Sequence, residues 1–124
     1  MDALLAQSDF VSLYVPLTEE TRHLIDAKRL SQMKKTAFLV NISRGPVVDE
    51  QALLDALRAG TIAGAALDVF EREPQLTPGL TELDNVVLTP HLGYVTYENY
   101  RCYFADMVED IRAFIDGKPV RVIG

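Results

Sequence analysis

Short apolar runs along this chain alternate with stretches whose apolar residues recur every three or four positions. Phe10-Val11-Ser12-Leu13-Tyr14-Val15 is β-branched and aromatic, and Pro16 stops it, which predicts a strand. Thr18 then opens a stretch predicted to be helical, with Glu19 and Glu20 in its first turn, where the helix dipole favours acids. Asp26 is the candidate cap of a second short helix carrying Leu30 and Met33. Ala37-Phe38-Leu39-Val40-Asn41-Ile42 reads as the second strand. Asp49 caps the next helix, which sets Leu53, Leu54 and Leu57 on one face and ends at Arg58 and Gly60. The run from Ala63 to Val69, small and apolar, is a third strand. A connection with Pro74, Pro78 and Gly79 leads to a short fourth strand, Val86-Val87-Leu88, stopped by Thr89-Pro90. The last element is a long helix from about Thr96 to Asp116, ended by Gly117 and Pro119. Its stripe of Phe104, Met107, Val108, Ile111, Phe114 and Ile115 is expected to pack against a core.

Strands this apolar are expected to be buried on both faces, as parallel strands are. Crossovers that contain helices make the strands parallel. The fold class is therefore α/β, a partial doubly wound parallel sheet of about four strands with helices, plus the long C-terminal helix. At 124 residues the chain holds one domain or slightly less, and it shows no repeat, low-complexity tract or linker.

Composition narrows the function. Twelve basic and eighteen acidic side chains leave a net charge of −6, which suits neither a phosphate backbone nor an anionic lipid surface. Neither nucleic acid nor membrane is expected as a partner. The single cysteine, Cys102, excludes an intrachain disulfide and a cysteine-based zinc site. His23 and His91 lie far apart in sequence with no ligand spacing, so no metal is expected. The opening Met1-Asp2-Ala3-Leu4-Leu5 lacks a basic, apolar leader pattern, and no apolar run approaches the ~20 residues of a membrane helix. The expected compartment is the cytosol.

Parallel strands bring their C-terminal ends to one edge, and ligands of such sheets bind outside that edge. Here the edge gathers Arg44, Asp68, Glu73 and His91. Each has a bland reading by itself: a solvated loop arginine, a turn-capping aspartate, a surface acid before proline, a structural histidine. Together they compose a chemistry. A histidine exchanges a proton near neutral pH, a carboxylate beside it orients the ring, and an arginine fork matches a substrate carboxylate. Those roles suit interconversion of a 2-hydroxy acid and a 2-keto acid, which also needs a bound hydride carrier.

Three ordered segments carry a resemblance. Leu39-Val40-Asn41-Ile42-Ser43-Arg44-Gly45, then Ala65-Ala66-Leu67-Asp68-Val69-Phe70 with Glu73-Pro74, then Asn85-Val86-Val87-Leu88-Thr89-Pro90-His91-Leu92-Gly93 resemble the D-isomer-specific 2-hydroxyacid dehydrogenases. Ser12-Leu13-Tyr14-Val15-Pro16-Leu17-Thr18 fits the same family, so the resemblance covers nearly the whole chain. It implies a Rossmann-like fold and an oxidoreductase that uses NAD or NADP. It implies a catalytic set of Arg44 on the substrate carboxylate and carbonyl, His91 as general acid and base, and Glu73 paired with His91 to favour its charged form. Val15, Ile42, Ser43, Arg44, Asp68, His91, Leu92, Gly93 and Tyr94 would line the cofactor, with Asp68 facing the nicotinamide. Tyr14 stands where the family often has histidine.

Members of that family are much longer. By the resemblance, residues 1–124 are the C-terminal half of the dinucleotide-binding domain, beginning in the helix before its fourth strand. The substrate domain and the glycine-rich first half are absent. The glycines at 45, 60, 64, 79, 93, 117 and 124 include no pair two apart, so there is no G-x-G-x-x-G and the cofactor site is incomplete in this chain. The first strand then offers an unpaired apolar edge, which predicts self-association, as a homo-oligomer or with a partner chain supplying the missing half. The alternative to an enzyme is a non-catalytic interaction module or an inactive remnant. The joint presence of Arg44, Glu73 and His91 argues against a purely structural role, because packing needs none of them.

Overall fold

A computed structural model describes residues 1–123 and divides the chain into two compact units, Met1–Leu92 and one that begins at Gly93. In the first unit, α1 (Asp2–Gln7) precedes β1 (Phe10–Leu13), α2 (Ala27–Gln32), β2 (Phe38–Asn41), α3 (Glu50–Arg58), β3 (Gly64–Leu67) and β4 (Val86–Leu88). Single 3-10 turns stand at Gly45–Val47 and Leu80–Glu82. The four strands form one parallel sheet in the order β1-β2-β3-β4. Each of the first three is shorter than its apolar run, and Tyr14, Val15, Ile42, Asp68 and Val69 fall in the loops beyond the strands.

Strand order that advances one neighbour at a time, with right-handed crossovers, places every crossover helix on the same side of the sheet. This corrects the expectation of strands buried on both faces. Val11, Leu13, Leu39, Ala65 and Leu67 alternate inward, against Leu5, Leu30, Leu53, Leu54 and Leu57 of the helices. The other face stays open: Phe10 is 70% exposed, Phe38 41% and Val87 63%. Phe10 and Phe38, partners across the β1–β2 register, stack there with centroids 5.5 Å apart.

The caps are where the sequence places them. Asp26 accepts from the Arg29 N–H at 2.8 Å and Asp49 from the Ala52 N–H at 2.9 Å. The helix expected from Thr18 does not form. Thr21 Oγ1 bonds back to the Pro16 carbonyl at 2.6 Å and accepts from the Thr18 N–H at 2.7 Å, so side-chain bonds close a turn where a helical ladder would continue. His23 then takes a left-handed φ of 49°, and Ile25 bridges to Val48.

In the second unit, α4 (Tyr97–Ile115) is capped by Thr96, whose Oγ1 accepts from the Asn99 N–H at 3.1 Å. Arg121 folds back to bind Asp110 at 2.7 Å, Glu109 at 2.6 Å and Asp106 at 3.2 Å. No residue of α4 is buried, and Phe114 is 75% exposed. The apolar stripe expected to pack is therefore exposed in this structure. Among the described residues no helix is long and apolar enough to cross a membrane.

Candidate active site

The C-terminal ends of β2, β3 and β4 carry three loops held in place by a few polar side chains. After β2, the buried Asn41 side chain accepts from the Ser43 N–H at 3.1 Å and the Ser43 hydroxyl at 2.9 Å, and donates to the Arg44 carbonyl at 3.0 Å. That wrap sets the exposed Arg44, whose Nη1 donates to the Ser43 carbonyl at 2.6 Å. Gly45 follows, buried against the backbone of Phe70 and Glu71; a Cβ there would collide with the Phe70 carbonyl. Only glycine permits this approach, and it holds the Arg44 loop on the loop after β3.

After β3, the buried Asp68 accepts from the Thr89 hydroxyl and from the Leu92 N–H at 2.8 Å. One carboxylate thus ties the β3 end to the β4 loop. Glu73 accepts from the Phe70 N–H through Oε1 at 2.9 Å and meets His91 Nδ1 through Oε2 at 2.9 Å. The pair is half-exposed. The His91 hydrogen bond is the main cause that holds the Glu73 carboxyl below the usual glutamate range; partial burial opposes it, and the Phe70 N–H reinforces it. An ionised Glu73 only accepts, so Nδ1 carries the proton in this pair.

After β4, the His91 N–H bonds to the Thr89 carbonyl at 3.0 Å across Pro90, and His91 adopts φ 57°. A left-handed conformation is uncommon for a side chain of this size, and such positions concentrate at functional sites. Beside it lies a cavity of about 370 Å³ lined by Phe70, Pro74, Leu76, Leu88, Pro90 and His91, among others. A separate groove of about 510 Å³ lies between Val15-Pro16-Leu17 and Ile42-Ser43-Arg44.

Of the residues expected at the edge, the structure pairs Glu73 with His91 and ties Asp68 to Leu92. It brings the Arg44 loop against Phe70, two residues past Asp68. Val15, Ile42, Ser43 and Arg44 line one groove. Gly93 and Tyr94 belong to the second unit.

Four contributors were missed. Asn41 and Thr89 position the loops, and buried Glu50 reaches from the start of α3 to the loop after β3. His23 Nε2 pairs with Glu71, forming a second histidine–glutamate contact two residues from the first. No linear spacing signals these; only the Asp49-Glu50 dipeptide at a helix start places an acid there, where the dipole alone accounts for it.

Residues 1–93 match the family described as D-isomer specific 2-hydroxyacid dehydrogenase, NAD binding domain. The chain belongs to this family. It is 61% identical over 100 residues to a glyoxylate reductase of Thermofilum pendens, covering 79% of this chain and 29% of that protein. It is 49% identical over 119 residues to glyoxylate/hydroxypyruvate reductase B of Erwinia tasmaniensis, covering 95% and 37%. Among solved structures, a D-isomer specific 2-hydroxyacid dehydrogenase from Xanthobacter autotrophicus Py2 superposes with a TM-score of 0.85 at 45% identity, covering 97% of this chain and 40% of that one. A structure of the dehydrogenase from that organism in complex with NADPH and MES superposes with a TM-score of 0.76. The chain thus spans about a third of the length of the curated relatives it matches.

Proposed function

We propose that this chain is the C-terminal half of the dinucleotide-binding domain of an NAD(P)-dependent D-2-hydroxyacid dehydrogenase, reducing a small 2-keto acid of the glyoxylate and hydroxypyruvate class. The carrying observation is the His91–Glu73 pair, fixed by the Phe70 N–H and adjoined by the Arg44 loop through Gly45. Arg44 binds the substrate carboxylate through its planar fork. Glu73 keeps His91 oriented through Nδ1, and proton transfer to the keto oxygen is assigned to Nε2.

The residues present fit the nicotinamide end of the cofactor. The groove between Val15 and Arg44 lies outside the ends of β1 and β2, and Asp68, whose N–H bonds to the Asn41 carbonyl at the end of β2, anchors the β4 loop. Val15, Ile42, Ser43, Asp68, Leu92, Gly93 and Tyr94 are proposed to hold that end, and a pyrophosphate cradle is not found among residues 1–124. When bound, the cofactor supplies the hydride that adds to the keto carbon. A second copy or a partner chain would complete the site, with the cytosol as the proposed compartment.

A second reading, an interaction module without catalysis, is favoured by the open stripe of α4. Turnover separates the two. With glyoxylate and NADH or NADPH, the catalytic reading expects reduction by the parent chain. It also expects a kcat loss of about 10²–10⁴-fold in His91→Gln, and a raised KM in Arg44→Ala. Turnover that survives both substitutions unchanged overturns this assignment of roles.

A further inference from the structure

We propose that Glu50 is a positioning residue that staples the loop carrying Glu73, and so sets the Glu73–His91 contact from the far side of the loop. The inference rests on the catalytic reading above for its consequence, but its geometry stands by itself. Glu50 is 2% exposed, and its two carboxylate oxygens are spent on one segment. Oε1 accepts from the Glu71 N–H, and Oε2 accepts from the Thr77 hydroxyl at 2.6 Å. Glu73 lies between those two anchor points in sequence, with its own carboxylate engaged by the Phe70 N–H and His91.

A buried carboxylate is costly unless its oxygens are satisfied, and an apolar side chain would serve the core of α3 at less cost. What an apolar residue does not supply is two acceptors a carboxylate-width apart. Those acceptors tie a proline-containing loop at two points, Glu71 and Thr77. Glu50 also sits in the first turn of α3, where the helix start favours its charge, so the helix and the loop are joined through one side chain. His23, engaged with Glu71, adds a second tie at the same end of the loop.

The test reads the pair directly and requires neither cofactor nor turnover, so a failure here is distinct from a failure of the catalytic reading. The carboxyl carbon of Glu73 is titrated by NMR in the parent chain, Glu50→Ala, Glu50→Gln and Thr77→Val. A glutamine keeps one acceptor for the Glu71 N–H and offers its amide to a reversed Thr77 hydroxyl. The staple predicts that Glu73 moves up toward the ordinary glutamate range in Glu50→Ala, stays depressed in Glu50→Gln, and moves part of the way in Thr77→Val. If Glu50→Ala does not fold, the isosteric Thr77→Val, which leaves the Glu50–Glu71 bond intact, decides by itself. A Glu73 titration as depressed in the folded loss variants as in the parent overturns the proposal. So does a glutamine variant that behaves like alanine.

Discussion

At the scale of single residues, the Glu73–His91 pair makes stability depend on pH in one direction. The folded Glu73 carboxyl titrates below its ordinary value of 4.5, chiefly because His91 hydrogen-bonds its charged form. Its contribution is therefore fully present above that value and is lost as the pH falls through the folded one. Urea unfolding of the parent and of Glu73→Gln is expected to show a gap that narrows as the pH falls into the acid range. A gap that widens in acid contradicts the pairing. Gly45→Ala is expected to destabilise by about 1–3 kcal/mol or more, because the added methyl meets the immobile Phe70 backbone. An unchanged melting temperature would mean the Arg44 loop is not clamped as described. The acids, the arginine and the histidine of this site were legible because parallel strands send their ends to one edge. Glu50 and Thr89 were not, because their partners, the Glu71 N–H and the Asp68 carboxylate, are brought near only by the fold; Asn41 was not, because its bonds to Ser43 and Arg44 are local turn contacts that no spacing marks.

At the scale of elements, α3 separates the contribution of a cap from that of a core. Asp49→Ala removes the acceptor of the Ala52 N–H and is expected to cost about 1 kcal/mol. Leu53→Ala empties a fully buried position and is expected to cost about 2–5 kcal/mol. Denaturant midpoints of the two variants check the order, and a cap variant as damaging as the core variant would contradict it. The strands, their parallel pairing and these caps were readable because each rests on local pattern. The Thr18 stretch was misread for a local reason too: threonine hydroxyls compete for the backbone bonds a helix needs. The burial of both sheet faces was misread for a global one. Periodicity describes a strand's apolarity but not which side the crossovers take.

At the scale of the whole molecule, two apolar surfaces stand in water. One is the open sheet face around Phe10 and Phe38 with the unpaired β1 edge; the other is the stripe of α4. Exposed apolar surface of this kind marks association sites. The purified chain is expected to show a mass that rises with concentration in size-exclusion chromatography with light scattering. A monomer mass at every concentration would count against association through these surfaces. The central claim, that this chain carries the nicotinamide-facing half of a hydride-transfer site, is tested most directly by titrating NADH and NADPH into it and following cofactor fluorescence, with glyoxylate added at saturation. The expected result is saturable binding that weakens in Ile42→Asp, at the groove lined by Val15 and Arg44, followed by oxidation of the cofactor. Binding and cofactor oxidation left unchanged in a folded Ile42→Asp variant would contradict it.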